Sequence, residues 1–528
     1  MIDFNFYRQP LAHQLRNFER FKDLEYHALF WEQRTRKTWL ELNIFRYRYE
    51  VRQDVDALVV IAFPNGVHRV WVDELQKDWP PEFLEQARWV AWRSGATTRG
   101  EEREKALALR DHPGPIVLTM NCEAIITEKG WKYLEWLLKR RRVMLVADEA
   151  SWAANWNKRT QKLEALGRRP NVLVRAILDG TPVDESPIEI YHPTQFLKRG
   201  LLGFSNKEAF RNRYTKYEEE VDEDGVVKRV QKLNHRTNTL YTPVVGYANL
   251  DELQAKIMEF GTRVRRADVS DAPSKTYQTR YFALTPKQRA VYDDFRDKFV
   301  IELQSGVVTV PNVLSRMSKL QMIARNFYPP GKTGDPCAAC ETTGYTDEGD
   351  DCPRCDGLGM IVRLTDLERI DTRNPAAEAL IAELGATRGP VIVWCRYLQD
   401  VTDALAAVRS TGRTAFRFDG TVADKDREAA YHSFRAGEGD AIVATEKSGL
   451  SRGRDLTRAV CLIYYSNEWS LRYRGQSEDR AEGLDRKIST EIVDLVAEDT
   501  RDLDVINALR EKRNIAAQVV GDPIEKWI

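Results

Sequence analysis

Arg140-Arg-Arg-Val-Met-Leu-Val-Ala-Asp-Glu-Ala-Ser151 is the stretch that decides the fold of this chain. Val143 to Ala147 is a short apolar run rich in β-branched residues, which favours a strand covered on both faces. Asp148 and Glu149 would then stand at its carboxyl end, the edge at which open α/β sheets bind their ligands. There, one carboxylate can hold Mg²⁺ while its neighbour orients a water for attack on a phosphate. The alternative is a strand that ends in a solvated acidic turn.

A phosphate-binding lysine upstream would decide between these interpretations. Lys37 and Thr38 follow the apolar run at 27–31 and precede a helical segment, as the Lys-Thr pair of a P-loop does. In such a loop the lysine reaches the β- and γ-phosphates, the threonine hydroxyl binds Mg²⁺, and the helix N-terminus adds its dipole. Both glycines of the full pattern are missing, because Trp31 and Arg36 stand at their places. We expect Arg36 to adopt a positive φ, at a cost of about 1–2 kcal/mol.

Length and composition limit the function classes. With 528 residues, 42% of them hydrophobic, the chain should form two or three globular domains. Lys+Arg and Asp+Glu each number 80, so a polyanionic partner would need a local basic patch. One such patch, Arg263-Val-Arg-Arg266, could touch phosphates or be paired with carboxylates. Neither a membrane-spanning run nor a signal-peptide pattern is found, so we expect a cytoplasmic protein without a membrane partner.

Apolar runs alternate with helical patterns along the first 200 residues. The runs at 57–63, 115–121 and 172–178 are typical of buried strands, and helical spacing lies between them. This alternation predicts a parallel, doubly wound sheet. Gln14, ahead of the first run, could read adenine through a bidentate amide contact, and a surface glutamine on a helix is the alternative.

In their order, these elements resemble the first motor lobe of superfamily 2 helicases, specifically of the Swi/Snf-like DNA translocases. The resemblance is carried by Gln14, Lys37-Thr38, Ile61-Ala-Phe-Pro64, Thr119-Met-Asn121, Asp148-Glu-Ala-Ser151 and Leu178-Asp-Gly-Thr-Pro182. It implies that Gly180 and Thr181, in the last of these elements, couple the state of the nucleotide to DNA contacts.

The last third returns to α/β alternation and resembles the second lobe of these motors. Residues 440–456, which include Gly453, resemble the loop that faces both nucleotide and DNA. Gln476-Ser-Glu-Asp-Arg480 matches the start of the family's final motif, in which Arg480 would be an arginine finger at the γ-phosphate. The family expects a second arginine three residues on, where this chain has Gly483. Arg486 could substitute for it.

A cysteine-rich insertion separates the two lobes. Cys337-Ala-Ala-Cys340 and Cys352-Pro-Arg-Cys355 predict a four-thiolate zinc site, since each C-x-x-C supplies two ligands from one tight knuckle. A redox role is the alternative, but no thioredoxin-like βαβ pattern surrounds the pairs. The second half of the motif resembles the DnaJ-type zinc module. The module could staple a protrusion, grip DNA or bind a protein partner.

The sequence therefore predicts an α/β chain of two RecA-like doubly wound parallel-sheet lobes, a helical inter-lobe region and a small zinc-binding insertion. We expect an ATP-binding lobe at 1–200, an inter-lobe region at 201–372 and a second lobe at 373–528. The zinc module would occupy 335–362 within the inter-lobe region.

The resemblance also implies a role for each site residue. Catalysis of ATP hydrolysis would fall to Lys37, Asp148, Glu149 and Arg480, with Mg²⁺ held by Thr38 and Asp148. The nucleotide would be bound by Gln14, Arg36, Lys37, Thr38, Gly453 and Gln476. DNA would contact four residues that could equally be helix caps or turn residues, namely Asn65, Asn121, Thr421 and Thr445.

The function that follows is ATP-driven tracking along DNA, duplex or branched, with remodelling, strand annealing or fork processing as outcomes. Two alternatives stay open. One is a strand-separating helicase of the same superfamily that acts on DNA or RNA. The other is an ATPase-impaired, DNA-binding scaffold protein, which Arg36 and Gly483 suggest. A motor this compact would suit a viral or bacterial origin.

Overall fold

A computed structural model provides the coordinates of the chain. It describes residues 4–522 except 64–66, 93–108, 110–111, 222–225, 235–238, 270–272, 274, 305–309, 329–334, 342–351, 353–359, 362–366, 452–453 and 484–485.

The first lobe is built on a seven-stranded sheet in the order β13-β1-β6-β5-β2-β4-β3. All neighbouring strands in it are parallel. Parallel neighbours require crossover connections, so their carboxyl ends meet along one edge. The strands are β1 Tyr26–Trp31, β2 Ala57–Ala62, β3 Arg88–Trp92, β4 Ile116–Asn121, β5 Val143–Asp148, β6 Val172–Leu178 and β13 Gly261–Val264.

Strand β5 shows why this sheet is covered on both faces. Val143, Leu145 and Ala147 pack into one apolar cluster, whereas Met144 and Val146 pack into another. Side chains of a strand alternate between faces, so the continuous apolar run fills two cores at once. The helices of this lobe are Ala12–Phe21, Lys37–Tyr47, Val67–Asp78, Pro81–Gln86, Glu128–Leu138, Lys158–Gly167, Tyr191–Leu197, Lys207–Tyr214 and Leu250–Phe260.

The second lobe repeats this construction with a six-stranded sheet in the order β14-β21-β20-β17-β19-β18, again with parallel neighbours. In β17, Val391 and Val393 face one core, and Ile392 and Trp394 face the other. The two RecA-like parallel-sheet lobes predicted from the sequence are confirmed. The strands are β14 Thr276–Phe282, β17 Val391–Cys395, β18 Ala415–Phe418, β19 Ala441–Thr445, β20 Cys461–Tyr464 and β21 Glu491–Ala497.

Capping side chains fix where several helices begin. Asn157 accepts a hydrogen bond from the Thr160 amide at 3.0 Å, and Ser470 caps the helix Leu471–Arg480 in the second lobe. That second cap matters because Arg480 ends the helix. The helices of the second lobe are Pro286–Gln304, Val310–Ala324, Pro375–Ala386, Leu398–Ser410, Asp424–Ala436, Leu471–Arg480 and Arg501–Val520.

The segment between the lobes contributes to both sheets. Strand β13 forms an edge of the first sheet, and β14 forms an edge of the second. The first sheet therefore includes residues after position 200, and the second includes residues before position 373. Within this segment, strands β8 and β9 pair antiparallel. The small strands of this segment are β7 Thr215–Tyr217, β8 Glu219–Val221, β9 Val227–Arg229, β10 Lys232–Asn234, β11 Thr239–Tyr241, β12 Val244–Tyr247, β15 Asp335–Pro336 and β16 Met360–Ile361.

The helix Arg501–Val520 joins the two lobes. Near its start, Val505 and Leu509 pack against Leu471 of the second lobe. At its end, Val519 and Val520 are buried in a core cluster of the first lobe. The lobes are therefore held in contact by apolar burial at both ends of one helix. Among the helices described, none has the length and apolarity needed to cross a membrane.

Candidate active site

A cleft of about 890 Å³ opens between the carboxyl edges of the two sheets. Lys37, Thr38, Asp148 and Glu149 line it from the first lobe, and Arg480 lines it from the second. The sequence predicted that these side chains would meet, and the fold brings them together. Basic side chains outnumber acidic ones eight to four in the lining, which suits a polyanionic ligand.

The 32–36 loop, between β1 and the helix Lys37–Tyr47, has an unusual backbone. Arg36 stands at the N-cap of that helix with a φ of 63°, and Arg34 has a φ of 65°. The left-handed conformation predicted for Arg36 is therefore present, and its neighbour shares it. For residues other than glycine this conformation costs about 1–2 kcal/mol, and such strain concentrates at functional sites.

Lys37 lies deep in the cleft and folds back onto its own loop. Its Nζ donates hydrogen bonds to the backbone oxygen of Trp31 at 2.6 Å and of Glu32 at 3.3 Å. Withdrawal from water lowers the pKa of Lys37, and the carboxylates of Glu149 and Asp148 oppose that shift. The ammonium group is thus poised to exchange carbonyl oxygens for phosphate oxygens.

Asp148 is fixed at the end of β5 by two donors. Trp71 Nε1 donates to Asp148 Oδ2 at 2.9 Å, and the Glu149 amide donates to Asp148 Oδ1 at 3.0 Å. Burial, together with the nearby Glu149, raises the pKa of Asp148 to about 6. Glu149 itself has a φ of 50°, which turns the chain sharply after the strand. Two carboxylates held this close favour the binding of a cation.

Asp179 is a site residue that the sequence analysis did not single out. Its carboxylate accepts hydrogen bonds from the Ser151 amide at 2.7 Å and from the Thr181 amide at 2.8 Å. Burial and Glu149 raise the pKa of Asp179 to about 6. The aspartate in Leu178-Asp-Gly-Thr-Pro182 was the available signal. It ties the segment after β6 to the segment after β5.

The two predicted coupling residues lie where the lobes meet. A Cβ at Gly180 would lie 3.4 Å from the Trp31 oxygen, so the segment passes close to the 32–36 loop. Thr181 Oγ1 is 3.7 Å from the position that a Cβ would have at Gly475, in the second lobe. The segment 179–182 therefore contacts the phosphate-binding side and the opposite lobe together. Its role in coupling stays a prediction.

Gln14 is buried against the 32–36 loop. Its Nε2 donates to the Arg36 oxygen at 3.3 Å, and its Oε1 accepts from the Leu11 amide at 2.8 Å. It is not among the residues that line the cleft. His13, which the sequence analysis passed over, makes a 3.0 Å contact from Nε2 to the Thr35 oxygen. Both side chains support the loop from behind, and adenine recognition by Gln14 remains a prediction.

Arg480 closes the cleft from the second lobe, and Gln476 lines it one helical turn earlier. Arg480 Nε donates to the Ser451 oxygen at 2.8 Å. Burial and the nearby Arg34 guanidinium lower the pKa of Arg480 to about 10. It stays cationic near neutral pH and faces a site built for an anion. Gly453, predicted to contact the nucleotide, lies outside the described residues.

Arg486 also lines the cleft, but its guanidinium is bound to its own lobe. It donates to the backbone oxygens of Thr457, Ala459, Ala481 and Ile488. An arginine that holds four carbonyls is positioned to organise this loop. In this conformation Arg486 does not take the place of the arginine that the resemblance led us to expect at position 483.

The predicted DNA-contact residues stand at the ends of strands in both lobes. Asn121 ends β4, and Thr445 ends β19. Thr421 follows β18, and its amide and hydroxyl both bond to the buried Asp419 carboxylate. This hydrogen bonding is typical of a turn, the alternative interpretation of Thr421. Asn65 lies outside the described residues, and DNA binding by all four stays a prediction.

The basic run at 263–266 is paired with carboxylates. Arg263 forms ion pairs with Asp522 at 2.6 Å and Glu32 at 3.1 Å. Arg265 pairs with Asp268, and Arg266 pairs with Glu482 across the lobes. Of the two interpretations of this run, the structure supports the carboxylate-paired one.

Three of the four predicted zinc ligands meet in one buried cluster. The sulfur atoms of Cys337, Cys340 and Cys352 lie within 4.8 Å of one another, and those of Cys337 and Cys352 are 3.8 Å apart. A tetrahedral zinc site with Zn–S bonds of about 2.3 Å places its sulfurs about 3.8 Å apart, so the thiols fit that metal. Strands β15 and β16 pair antiparallel on either side of the cluster. Cys355 lies outside the described residues.

Comparison with known proteins supports the two-lobed arrangement. The family model described as the helicase conserved C-terminal domain matches residues 375–482, which form most of the second lobe. The chain is 24% identical over 371 residues to the TATA-binding protein-associated factor MOT1 of Saccharomyces cerevisiae, covering 66% of this chain and 19% of that protein. It is 25% identical over 174 residues to the ATP-dependent helicase brm of Drosophila melanogaster, covering 32% and 10%.

A solved structure supports the fold itself. The Hef helicase domain of Pyrococcus furiosus matches with a TM-score of 0.52 and 13% identity, covering 95% of this chain and 98% of that one. The chain spans about a fifth or less of the length of the two curated relatives named above.

Proposed function

We propose that this chain is a Swi/Snf-like member of the superfamily 2 helicases and translocases, and that it couples ATP hydrolysis to movement along double-stranded DNA. The observation that carries the proposal is the shared cleft, which Lys37 lines from one lobe and Arg480 from the other. A nucleoside triphosphate bound there would contact both lobes, so its hydrolysis would change how strongly they hold together.

The first lobe would bind the triphosphate. Lys37 would release the carbonyls of Trp31 and Glu32 and contact the β- and γ-phosphates. Amides at the N-terminus of the helix Lys37–Tyr47 would add the favourable end of the helix dipole. The Thr38 hydroxyl and the Asp148 carboxylate, both hard oxygen donors in the cleft, would hold Mg²⁺. Bound there, Mg²⁺ would neutralise phosphate charge.

Hydrolysis would use Glu149 and Arg480 from opposite sides. Glu149 would accept a proton from a water whose oxygen attacks the γ-phosphorus, while the bond to the β–γ bridging oxygen breaks. ADP and inorganic phosphate would be the products. Arg480 would stabilise the charge that develops on the transferred phosphoryl group.

Movement along DNA would follow from closure and reopening of the cleft. The segment 179–182 contacts both the 32–36 loop and the helix Leu471–Arg480, which supports a role in sensing whether the lobes are closed. Asn121 in the first lobe and Thr421 and Thr445 in the second would grip DNA at strand ends. A cycle of grip and release would then advance the duplex.

The cysteine module would bind one zinc ion. The 3.8 Å separation of the Cys337 and Cys352 sulfurs suits shared coordination, and Cys355 would supply the fourth thiolate. Bound zinc would hold together a short insertion whose described strands are only two residues long. Metal analysis of purified protein should return about one zinc per chain. A folded protein without zinc would refute zinc binding by the cysteine module.

The decisive experiment compares ATP hydrolysis by the wild type and Glu149→Gln, with and without blunt duplex DNA. We expect duplex DNA to stimulate the wild type and the substitution to slow turnover about 100-fold or more, because it removes the general base. Equal, background-level rates in both proteins would instead favour a scaffold that binds DNA without hydrolysing ATP. A strand-displacement assay on tailed and blunt duplexes separates translocation from strand separation.

A further inference from the structure

Arg34 extends from the first lobe across the cleft to the second. It lies in the 32–36 loop, and its Nη2 donates to the backbone oxygen of Arg480 at 2.9 Å and to Asp455 Oδ1 at 3.2 Å. Its side chain lines the same cleft as Lys37 and is only 21% exposed. A phosphate-binding loop thus carries its own guanidinium into the space between the lobes.

The space that Arg34 enters borders Gly483. A Cβ at Gly483 would lie 3.8 Å from Arg34 Nη1 and 3.2 Å from Thr457 Cγ2. A long side chain at position 483 would therefore start in a volume that Arg34 and Thr457 already border. Gly483 of the second lobe has no side chain in this space, and Arg34 of the first lobe supplies one.

Backbone strain indicates that this placement has a function. Arg34 has a φ of 65°, in a loop where Arg36 has a φ of 63°. Glycine would relieve both, yet the chain has arginine twice. Strain of this kind persists where the surroundings enforce it and where it serves a site. From this strained backbone, the Arg34 side chain contacts the opposite lobe.

Charge in the cleft points to an anion as the missing partner. Arg34 donates to the backbone oxygen of Arg480, and its guanidinium lies near enough to that of Arg480 to lower the pKa of Arg480. Asp455 pairs with Arg34 at 3.2 Å and lies 3.6 Å from Arg435, so one carboxylate faces two cations. A γ-phosphate between the two lobes would supply the negative charge that this arrangement requires.

We propose that Arg34 provides, from the first lobe, a second guanidinium for the terminal phosphate of ATP, opposite Arg480 and in place of a side chain at position 483. The inference rests on the proposed ATPase function. It assigns the charge to the loop that binds the nucleotide, so the site holds one guanidinium for the terminal phosphate before the lobes close and gains the other on closure.

The test uses Arg34→Ala, Arg34→Lys and the double variant Arg34→Ala/Gly483→Arg. Turnover of Arg34→Ala should fall about 10- to 100-fold, since it loses a charge-assisted contact to the transferred group. Arg34→Lys should fall less because it keeps the charge. The double variant should recover part of the lost turnover, because it returns a guanidinium to the same space from the opposite lobe.

A binding measurement separates phosphate contact from a merely structural role. In the Glu149→Gln background, Arg34→Ala should weaken a fluorescent ATP analogue about 10-fold and leave the ADP analogue unchanged. Equal weakening of both, or a loss of turnover in Asp455→Asn as large as in Arg34→Ala, would show that Arg34 only bridges the lobes and would overturn the proposal. So would an Arg34→Ala variant with wild-type turnover and wild-type ATP preference.

Failure of the broader proposal would look different. If wild-type turnover equals that of Glu149→Gln, the ATPase function itself fails, whatever Arg34 does. If the wild type is active, Glu149→Gln is impaired and the Arg34 variants have wild-type turnover, the ATPase function stands. In that case only the assignment of Arg34 is wrong. Thermal unfolding of each variant, compared with the wild type, confirms that the folded state is being measured.

Discussion

Carboxylates behind the cleft in the first lobe and carboxylates beneath Arg480 in the second have opposite electrostatics. At the edge of the first sheet, burial and Glu149 raise the pKa of Asp148 and of Asp179 to about 6. Burial alone would raise the pKa of Glu478 in the second lobe as well, but Lys275 and Arg474 lower it to about 2. At the cleft edge of the first lobe, acidic charge lacks enough cations. Near Arg480 in the second lobe, cations compensate the Glu478 carboxylate.

This difference distinguishes carboxylates that can bind a ligand from carboxylates that stabilise the fold. Uncompensated carboxylates are costly to the folded state and favour any cation that arrives, as Mg²⁺ would. Compensated carboxylates hold a helix in place. Arg474 bonds to Glu478 at 2.7 Å within the helix that ends at Arg480, and to Asp494 of β21 at 2.6 Å. The first lobe therefore holds a site that needs a ligand. The second lobe holds the helix Leu471–Arg480, whose buried ion pairs fix the position of Arg480.

The largest expected effect on the free energy of unfolding comes from the ion pairs of Arg474. Arg474→Ala leaves Glu478 and Asp494 buried without their shared cation, so the free energy of unfolding should fall by about 3–5 kcal/mol. Urea unfolding followed by circular dichroism measures the change. A loss below about 1 kcal/mol would mean that this network does not hold the lobe together as the comparison requires.

Asp148→Asn should separate activity from stability. Turnover should fall about 100-fold because a ligand for Mg²⁺ is lost. The free energy of unfolding without nucleotide should rise by about 1 kcal/mol, since a buried carboxylate with a raised pKa is removed. Steady-state ATPase assays and urea unfolding of the same preparation give both numbers. A variant that is both inactive and less stable would contradict the uncompensated charge inferred for this edge.

A pH series should sharpen the contrast. Because Asp148 and Asp179 have raised pKa values, their ionisation weakens the fold as the pH rises from about 4 to about 6, and acidification through that window restores stability. Glu478 acts oppositely, since the stability it contributes is present above its usual pKa of 4.5 and is lost as the pH falls toward 2. Relative to Asp148→Asn, the wild type should therefore gain about 1–2 kcal/mol between about pH 7 and pH 5.

The smallest effect is expected at an exposed pair that serves as the control for the buried ones. Lys132 and Glu128 form an ion pair on the first lobe with both side chains more than 70% exposed. Lys132→Ala should change the free energy of unfolding by no more than about 0.5 kcal/mol. A larger change would indicate that the unfolding measurements do not discriminate between buried and surface charge.

Much of this molecule could be predicted from local sequence. Strand β5 has an apolar run bounded by charge, and the positive φ of Arg36 followed from its place before Lys37. Both depend on neighbours in the chain. The order of the motifs then indicated two lobes, because each weak element gained meaning from the next.

What sequence could not provide depends on distant pairing. Strand β3 is a short edge strand with exposed Arg88 and Trp89, so its pattern is not that of a buried run. Strands β13 and β14 join different sheets although 11 residues separate them, and only parallel pairing with β1 and β21 reveals this. In the sequence Arg34 resembles any other basic residue, because its contacts with the second lobe join positions more than 400 residues apart.

The helix Arg501–Val520 has a consequence for the working cycle. Its last turn is seated in the first lobe through Val519 and Val520, so full separation of the lobes would draw both side chains into water. Exposure of two valines costs about 3 kcal/mol or more, and the Arg263–Asp522 ion pair would break as well. The two halves are thereby tethered at high effective concentration. In the proposed cycle, the two lobes would stay within reach of each other after each opening, so diffusion apart would not compete with renewed binding of the nucleotide.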